Sequence, residues 1–210
     1  MRRLMPSPHV LSLARVHRVV PVLGGVAAVT VLSAVLGGTQ VPVPSLEDGG
    51  GTVGIPFRRD LPLLSAVFLA TLWSGPMAAH EQLGSRAFHR ARVQLLAGGV
   101  LIAVCLSLAA EPLAVDAAAG LVFVRSLLTW FGLAQLSTAL FGSRLAWVLP
   151  LTSAFPIIWF TGSTWDWTDG AAPDVGFWAL AAGSVALGSA SLAWTPWRRY
   201  ASRRRSEEPS

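Results

Sequence analysis

Residues Ala114–Phe141 read AVDAAAGLVFVRSLLTWFGLAQLSTALF, an apolar run broken by two charges, Asp116 near its start and Arg125 well inside. The hydrocarbon core of a bilayer is about 30 Å thick and takes about 20 helical residues to cross. Starting the run after the arginine leaves Ser126–Phe141, which is 16 residues and too short, so a crossing helix has to carry Arg125 with it. Outward from this stretch, Leu145–Gly162 and Val175–Trp194 follow, and Val19–Gly38, Leu61–Ala79 and Val93–Ala110 precede. Each is uncharged and close to the crossing length. The expected fold is all-α: a polytopic membrane bundle of six transmembrane helices.

Composition agrees. Of 210 residues, 53% are hydrophobic and 13% charged, and mean hydropathy is +0.56; a soluble domain carries about 25% charged residues. With six crossings removed, no segment is long enough to bury a soluble core, so the chain divides into a basic segment 1–18, a membrane domain 19–197 and a basic tail 198–210. All 16 basic residues are arginine. A phosphate-binding Walker loop needs lysine, so the chain has no such ATPase motif, and any ATP that drives it is bound by another subunit. The single Cys105 falls mid-span and reads as a small packing residue.

A sequence pI near 11.2 suggests nucleic acid until the arginines are placed. With the N-terminus in the cytoplasm, 13 of the 16 lie on inner segments; Arg58 and Arg59 lie outside and Arg125 in the membrane. Cytoplasmic loops carry the arginine excess, so both termini are expected inside. The basic clusters then serve topology and contacts with anionic membrane lipids, with no nucleic acid. Arg58 and Arg59 break the rule and are expected at the outer headgroups, beside Asp60.

Between the spans, Ser7–Arg18 reads as an interfacial helix, a disordered basic flank or, third, a cleaved leader. Thr39–Asp60, rich in Pro and Gly, reads as a flexible outer loop. Glu111–Asp116 is a tight outer turn. Trp165 and Trp167 in the loop before the last span are expected at the membrane interface, and the tail from Arg198 is expected disordered. Pro150 and Pro156 should make the fifth span the least regular. Ala182, Ala186 and Ala190, with Ser184 and Gly188 alongside, should let another helix pack closely on the last span.

Chemistry is sparse. His80-Glu81 starts like a zincin motif, but position 84 is Gly, and no catalytic, metal or cofactor residues are assigned. Arg125 costs about 2.5–3.5 kcal/mol at mid-span on insertion scales. It is structural, bonding carbonyls freed by a proline; functional, meeting an anionic substrate or forming a gate; or snorkelling to the outer headgroups. Gln135 is the second polar group on that helix. In the inner loop His80–Arg92, Leu83, Ala87 and Ala91 fall on one helical face that Phe88 widens. The loop is either a short docking helix or a solvated basic loop.

This layout resembles the small permease subunits of type-2 ABC exporters. The matching pieces are Ser7–Arg18, the loop His80–Arg92, the stretch Arg125-Ser-Leu-Leu-Thr-Trp-Phe-Gly-Leu, and Phe141-Gly-Ser-Arg-Leu-Ala-Trp-Val-Leu-Pro-Leu151. The resemblance implies a transport subunit that pairs with itself or a paralogue and is powered by a separate ATP-binding subunit. That subunit would dock on a coupling loop in which Leu83 and Phe88 pack into a groove while Glu81, Arg86 and Arg90 set orientation. The alternative reading is a non-transporting assembly, anchoring or immunity protein whose spans only pack against other membrane proteins.

Overall fold

The computed structural model describes residues 19–44, 52–73, 86–159, 166–168 and 170–207. The basic segment 1–18 and residues Glu81 and Leu83 of the proposed coupling loop lie outside that range. The described chain is mostly helical, with six α-helices: α1 (Val19–Leu36), α2 (Leu61–Ala70), α3 (Arg86–Ala114), α4 (Ala117–Phe141), α5 (Val148–Trp159) and α6 (Val175–Glu207). Four contain stretches long and apolar enough to cross a membrane: Val19–Leu36, Arg90–Ala114, Ala117–Phe141 and Val175–Trp194. These are the proportions of a multi-pass membrane protein. The other two expected spans are described only in part. The second comprises α2 and a 3-10 turn, Thr71–Trp73; the fifth comprises a 3-10 turn, Ser143–Leu145, and the 12 residues of α5. Pro156 lies inside α5, which runs unbroken from Val148 to Trp159, while the second span leaves the α-helix for a 3-10 turn at Thr71.

The fold is not purely helical. Strands β1 (Gln40–Pro44) and β2 (Thr52–Pro56) pair antiparallel, with Gln40 opposite Pro56 and Val43 opposite Val53, where a flexible loop was expected. Val41, Val43, Val53 and Ile55 alternate with Pro, Gly and polar residues, the period-2 pattern of a strand. Both strands of a two-stranded ribbon are edges, where a proline can turn its missing N–H away from the ladder. Ile55 is buried and anchors the hairpin.

Helices also run further than expected. No Gly or Pro interrupts Arg86–Val93, and among the described residues α3 runs unbroken from Arg86 into the third span; residues 80–85 of the expected loop helix lie outside the described part. At its other end α3 continues through Pro112 to Ala114, so the outer turn shrinks to Val115 and Asp116. Asp116 then caps α4, accepting the Ala119 amide at 2.7 Å. Beyond Arg198, α6 stays helical to Glu207.

The bundle is built around α4, which packs on α2, α3, α5 and α6. About 61% of its apolar window is buried, against 11% for α6. The core joins Val22 and Val26 of α1, Leu63, Ala66 and Leu69 of α2, Leu127, Trp130 and Phe131 of α4, and Ile157 of α5. α6 does approach another helix closely, but on a face other than the alanine stripe. A methyl group on Gly132 would come within 2.5 Å of the Val185 nitrogen, and one on Gly188 within 2.5 Å of the Gly132 carbonyl oxygen. Ala182, Ala186 and Ala190 are exposed. So is Cys105, on the open side of α3.

Candidate functional site

One end of the bundle gathers the hairpin, the C-terminal turns of α1 and α3, the N-terminal turns of α2 and α4, and the segment leading into α6. Three arginines hold these pieces together. Arg125, two turns into α4, is 0% exposed. Its Nη1 donates to the Ala171 carbonyl at 2.6 Å, and its Nη2 to the carbonyls of Gly170 at 2.7 Å and Trp167 at 2.9 Å. The guanidinium also lies 5.0 Å from the centre of the Phe177 ring. The side chain points toward the bundle end, as the snorkelling reading required, but stops at protein carbonyls and never reaches the surface. Those carbonyls belong to the segment before α6, not to a proline-broken helix. Charge-assisted hydrogen bonds contribute about 1.5–3 kcal/mol each, so three of them offset the insertion cost.

Arg59 and Arg58 sit in the 3-10 turn Phe57–Arg59 between hairpin and α2. Arg59 pairs with Asp166, donates through Nε to the Thr168 hydroxyl at 2.6 Å, and reaches the Ile157 carbonyl of α5 at 3.1 Å. Asp166 is oriented by the Thr168 amide at 3.0 Å and hydroxyl at 2.6 Å. Arg58 lies 2.8 Å from Glu111 of α3, which is 0% exposed, and its Nη2 donates to the Ser33 carbonyl of α1 at 3.3 Å. The Arg58–Glu111 contact is a close charge pair without the angle of a linear hydrogen bond. Both arginines, expected at the outer headgroups, are each committed to a buried carboxylate from a distant part of the chain. Beside them, burial pushes the Asp60 carboxyl up from its ordinary value; Arg59 opposes that shift and Asp166 adds to it.

Trp167, expected at the membrane interface, packs against α4. Its ring meets Trp130 of α4 edge to face, with centroids 5.3 Å apart. Gln135 lies ten residues beyond Arg125, about 15 Å along the helix, so the two do not share a site. It is buried at the α4–α6 contact, where its Oε1 accepts the Ser189 hydroxyl at 3.0 Å. Arg86 and Phe88 open α3, their side chains outside the described part; Arg90, one turn on, is exposed. Among the described residues, no group of three or more His, Cys, Asp or Glu is placed to hold a metal ion. The chain matches no family model, no curated protein and no solved structure.

The arginine pairs were partly legible. Two arginines on the side that should lack them were a signal, but their acidic partners lie 53 and 107 residues away in sequence, and no local pattern connects them.

Proposed function

We propose that the chain is the membrane-embedded permease subunit of an ABC-type exporter, with six spans, both termini cytoplasmic, and ATP hydrolysis supplied by a separate subunit. The observation that carries this reading is the unbroken course of α3. A motor pressing on the basic loop at 80–92 pushes one end of a helix about 44 Å long. The other end carries Glu111, ion-paired to Arg58 of the hairpin segment. Displacement at Arg86, Phe88 and Arg90, on which the coupling residues Glu81 and Leu83 would act, thereby reaches the opposite end of the bundle through one rigid element. The exposed face of α6 leaves room for a second copy or a paired permease subunit, and the helical, arginine-rich end of α6 suits anionic headgroups.

The second reading, a non-transporting assembly, anchoring or immunity protein, is favoured by a different observation: Arg125 and Gln135 both hold the bundle together. One purification separates the two. Tagged chain extracted in mild detergent should bring down an ATP-binding-cassette subunit in stoichiometric amount, with ATPase activity, and Phe88→Asp should abolish the association while membrane insertion is kept. Recovery of the chain without any ATPase favours the second reading.

A further inference from the structure

Among the described residues β1 and β2 make up the whole sheet, so each strand has one edge without a neighbour. The two edges differ. The Phe57 amide donates to the Thr39 carbonyl at 2.9 Å, one pair beyond Gln40 and Pro56 in the ladder register. Hydrogen-bonded and non-bonded pairs alternate along an antiparallel ladder. Val41–Ile55 and Val43–Val53 are therefore bonded pairs, and the backbone groups at 40, 42, 44, 52, 54 and 56 point away from the partner strand. Pro42 and Pro44 have no amide hydrogen, so the outer edge of β1 is poor in donors and blunted against further pairing. β2 lacks that protection: the amides of Thr52 and Gly54 both point outward.

The open edge is complementary to itself. When a second β2 lies antiparallel about a two-fold axis at Gly54, the facing Gly54 residues exchange amide–carbonyl bonds. Each Thr52 amide then meets the Pro56 carbonyl of the other copy. Thr52, Gly54 and Pro56 are exposed, and Gly54 has no side chain, so its exposed surface is backbone. Ile55 is buried, which turns the other face of the hairpin toward the bundle. The axis of an antiparallel pair stands perpendicular to the sheet, so both copies keep their Ile55 faces on one side. Copies inserted in one membrane in the same sense require that arrangement. A free peptide would also fit an open edge but has to be ordered first; β2 of a second copy is already extended.

We propose that the open edge of β2 pairs with β2 of a second copy of this chain, antiparallel and centred on Gly54, so that one continuous sheet crosses a dimer. Pairing of copies is the one part of the proposed function on which this rests. Recovery of the chain without an ATPase leaves it standing.

The test is disulfide cross-linking in native membranes, in a Cys105→Ser background, with Thr52→Cys and Pro56→Cys combined. A Cβ on Gly54 would collide with the Gln40 carboxamide, so position 54 is left unaltered. Within one chain, 52 and 56 lie about 13 Å apart along the strand, beyond the roughly 7 Å that the Cα atoms of a disulfide span. Across the axis they stand opposite each other at about 5.5 Å. Mild oxidation should convert the double variant to a covalent dimer and leave each single variant monomeric on a denaturing gel. Without cysteines, Thr52→Pro removes an outward amide and keeps the β1–β2 ladder. It should weaken association about ten-fold in vesicles, read by energy transfer between labelled copies, through the loss of two hydrogen bonds across the axis. Gln40→Pro, the same change on the β1 edge, should leave association unchanged. No covalent dimer from the double variant overturns the proposal. So do single variants that cross-link as well as the double, or equal effects of Thr52→Pro and Gln40→Pro.

Discussion

Arg58, Arg59 and Arg125 at the hairpin end of the bundle and Arg90 and Arg144 toward the other end are the same side chain under opposite treatment. The first three reach inward to a carboxylate or to backbone carbonyls; the last two are exposed. The difference is one of supply. At the hairpin end, Glu111, Asp166 and the carbonyls of Trp167, Gly170 and Ala171 are folded inward, so a guanidinium can leave solvent without leaving its hydrogen bonds. Near Arg90 no described carboxylate stands ready, and the charge stays outside. An arginine in an apolar sequence is thus informative only together with the acceptors that the fold brings to it.

The contrast can be broken most forcefully at Arg125. Arg125→Gln strips three carbonyls of their donor and should destabilise the chain by about 3–5 kcal/mol, read as a large fall in melting temperature in detergent. The Arg58–Glu111 pair comes next. Arg58→Ala or Glu111→Gln alone should cost about 2–4 kcal/mol, and the double variant clearly less than the sum of the two, because each single change strands a buried partner. A double-mutant cycle that closes additively would mean the pair carries no coupling.

Asp60 sharpens the comparison through pH. Its carboxyl is held above the ordinary value in the folded chain, so the folded state binds the proton more tightly than the unfolded one. Ionisation of Asp60 therefore penalises folding at neutral pH, and the penalty fades as pH falls through the raised value toward the ordinary 3.8. Asp60→Asn should raise the melting temperature at pH 7, with an advantage over wild type that shrinks on acidification through that window. A constant difference across pH would assign the effect to something other than titration. Smallest of all, Arg90→Ala should change stability by less than about 0.5 kcal/mol, the ordinary range for an exposed position.

Much of the helical fold was legible because a bilayer-length apolar run is a strong, local signal. Val19–Leu36 and Val175–Trp194 fall almost where length and hydropathy put them. The misses follow from rules of shorter reach. The alternation around Val41 and Ile55 is only five residues per strand and sat among prolines and glycines that also spell a loop. The start of α3 at Arg86 followed from the lack of a helix breaker, which outweighed the change from polar to apolar sequence. Small residues on α6 correctly announced close packing, but the sequence offers Ala182–Ala186–Ala190 and Ser184–Gly188 as competing faces; Gly132 of α4, 50 residues away, selects the second. Of the site, Arg125 announced itself by its cost. Its partners in 167–171 could not be read, since a backbone carbonyl leaves no mark in a sequence.

The central claim is that Arg125 fastens the segment before α6 onto α4. Spin labels at Ala171 and Ala118, both exposed, in a Cys105→Ser background, measure this directly as a distance distribution by double electron–electron resonance. The claim predicts one narrow distribution in the otherwise unaltered chain and a markedly broader one after Arg125→Gln. Equal widths with and without the arginine would contradict it.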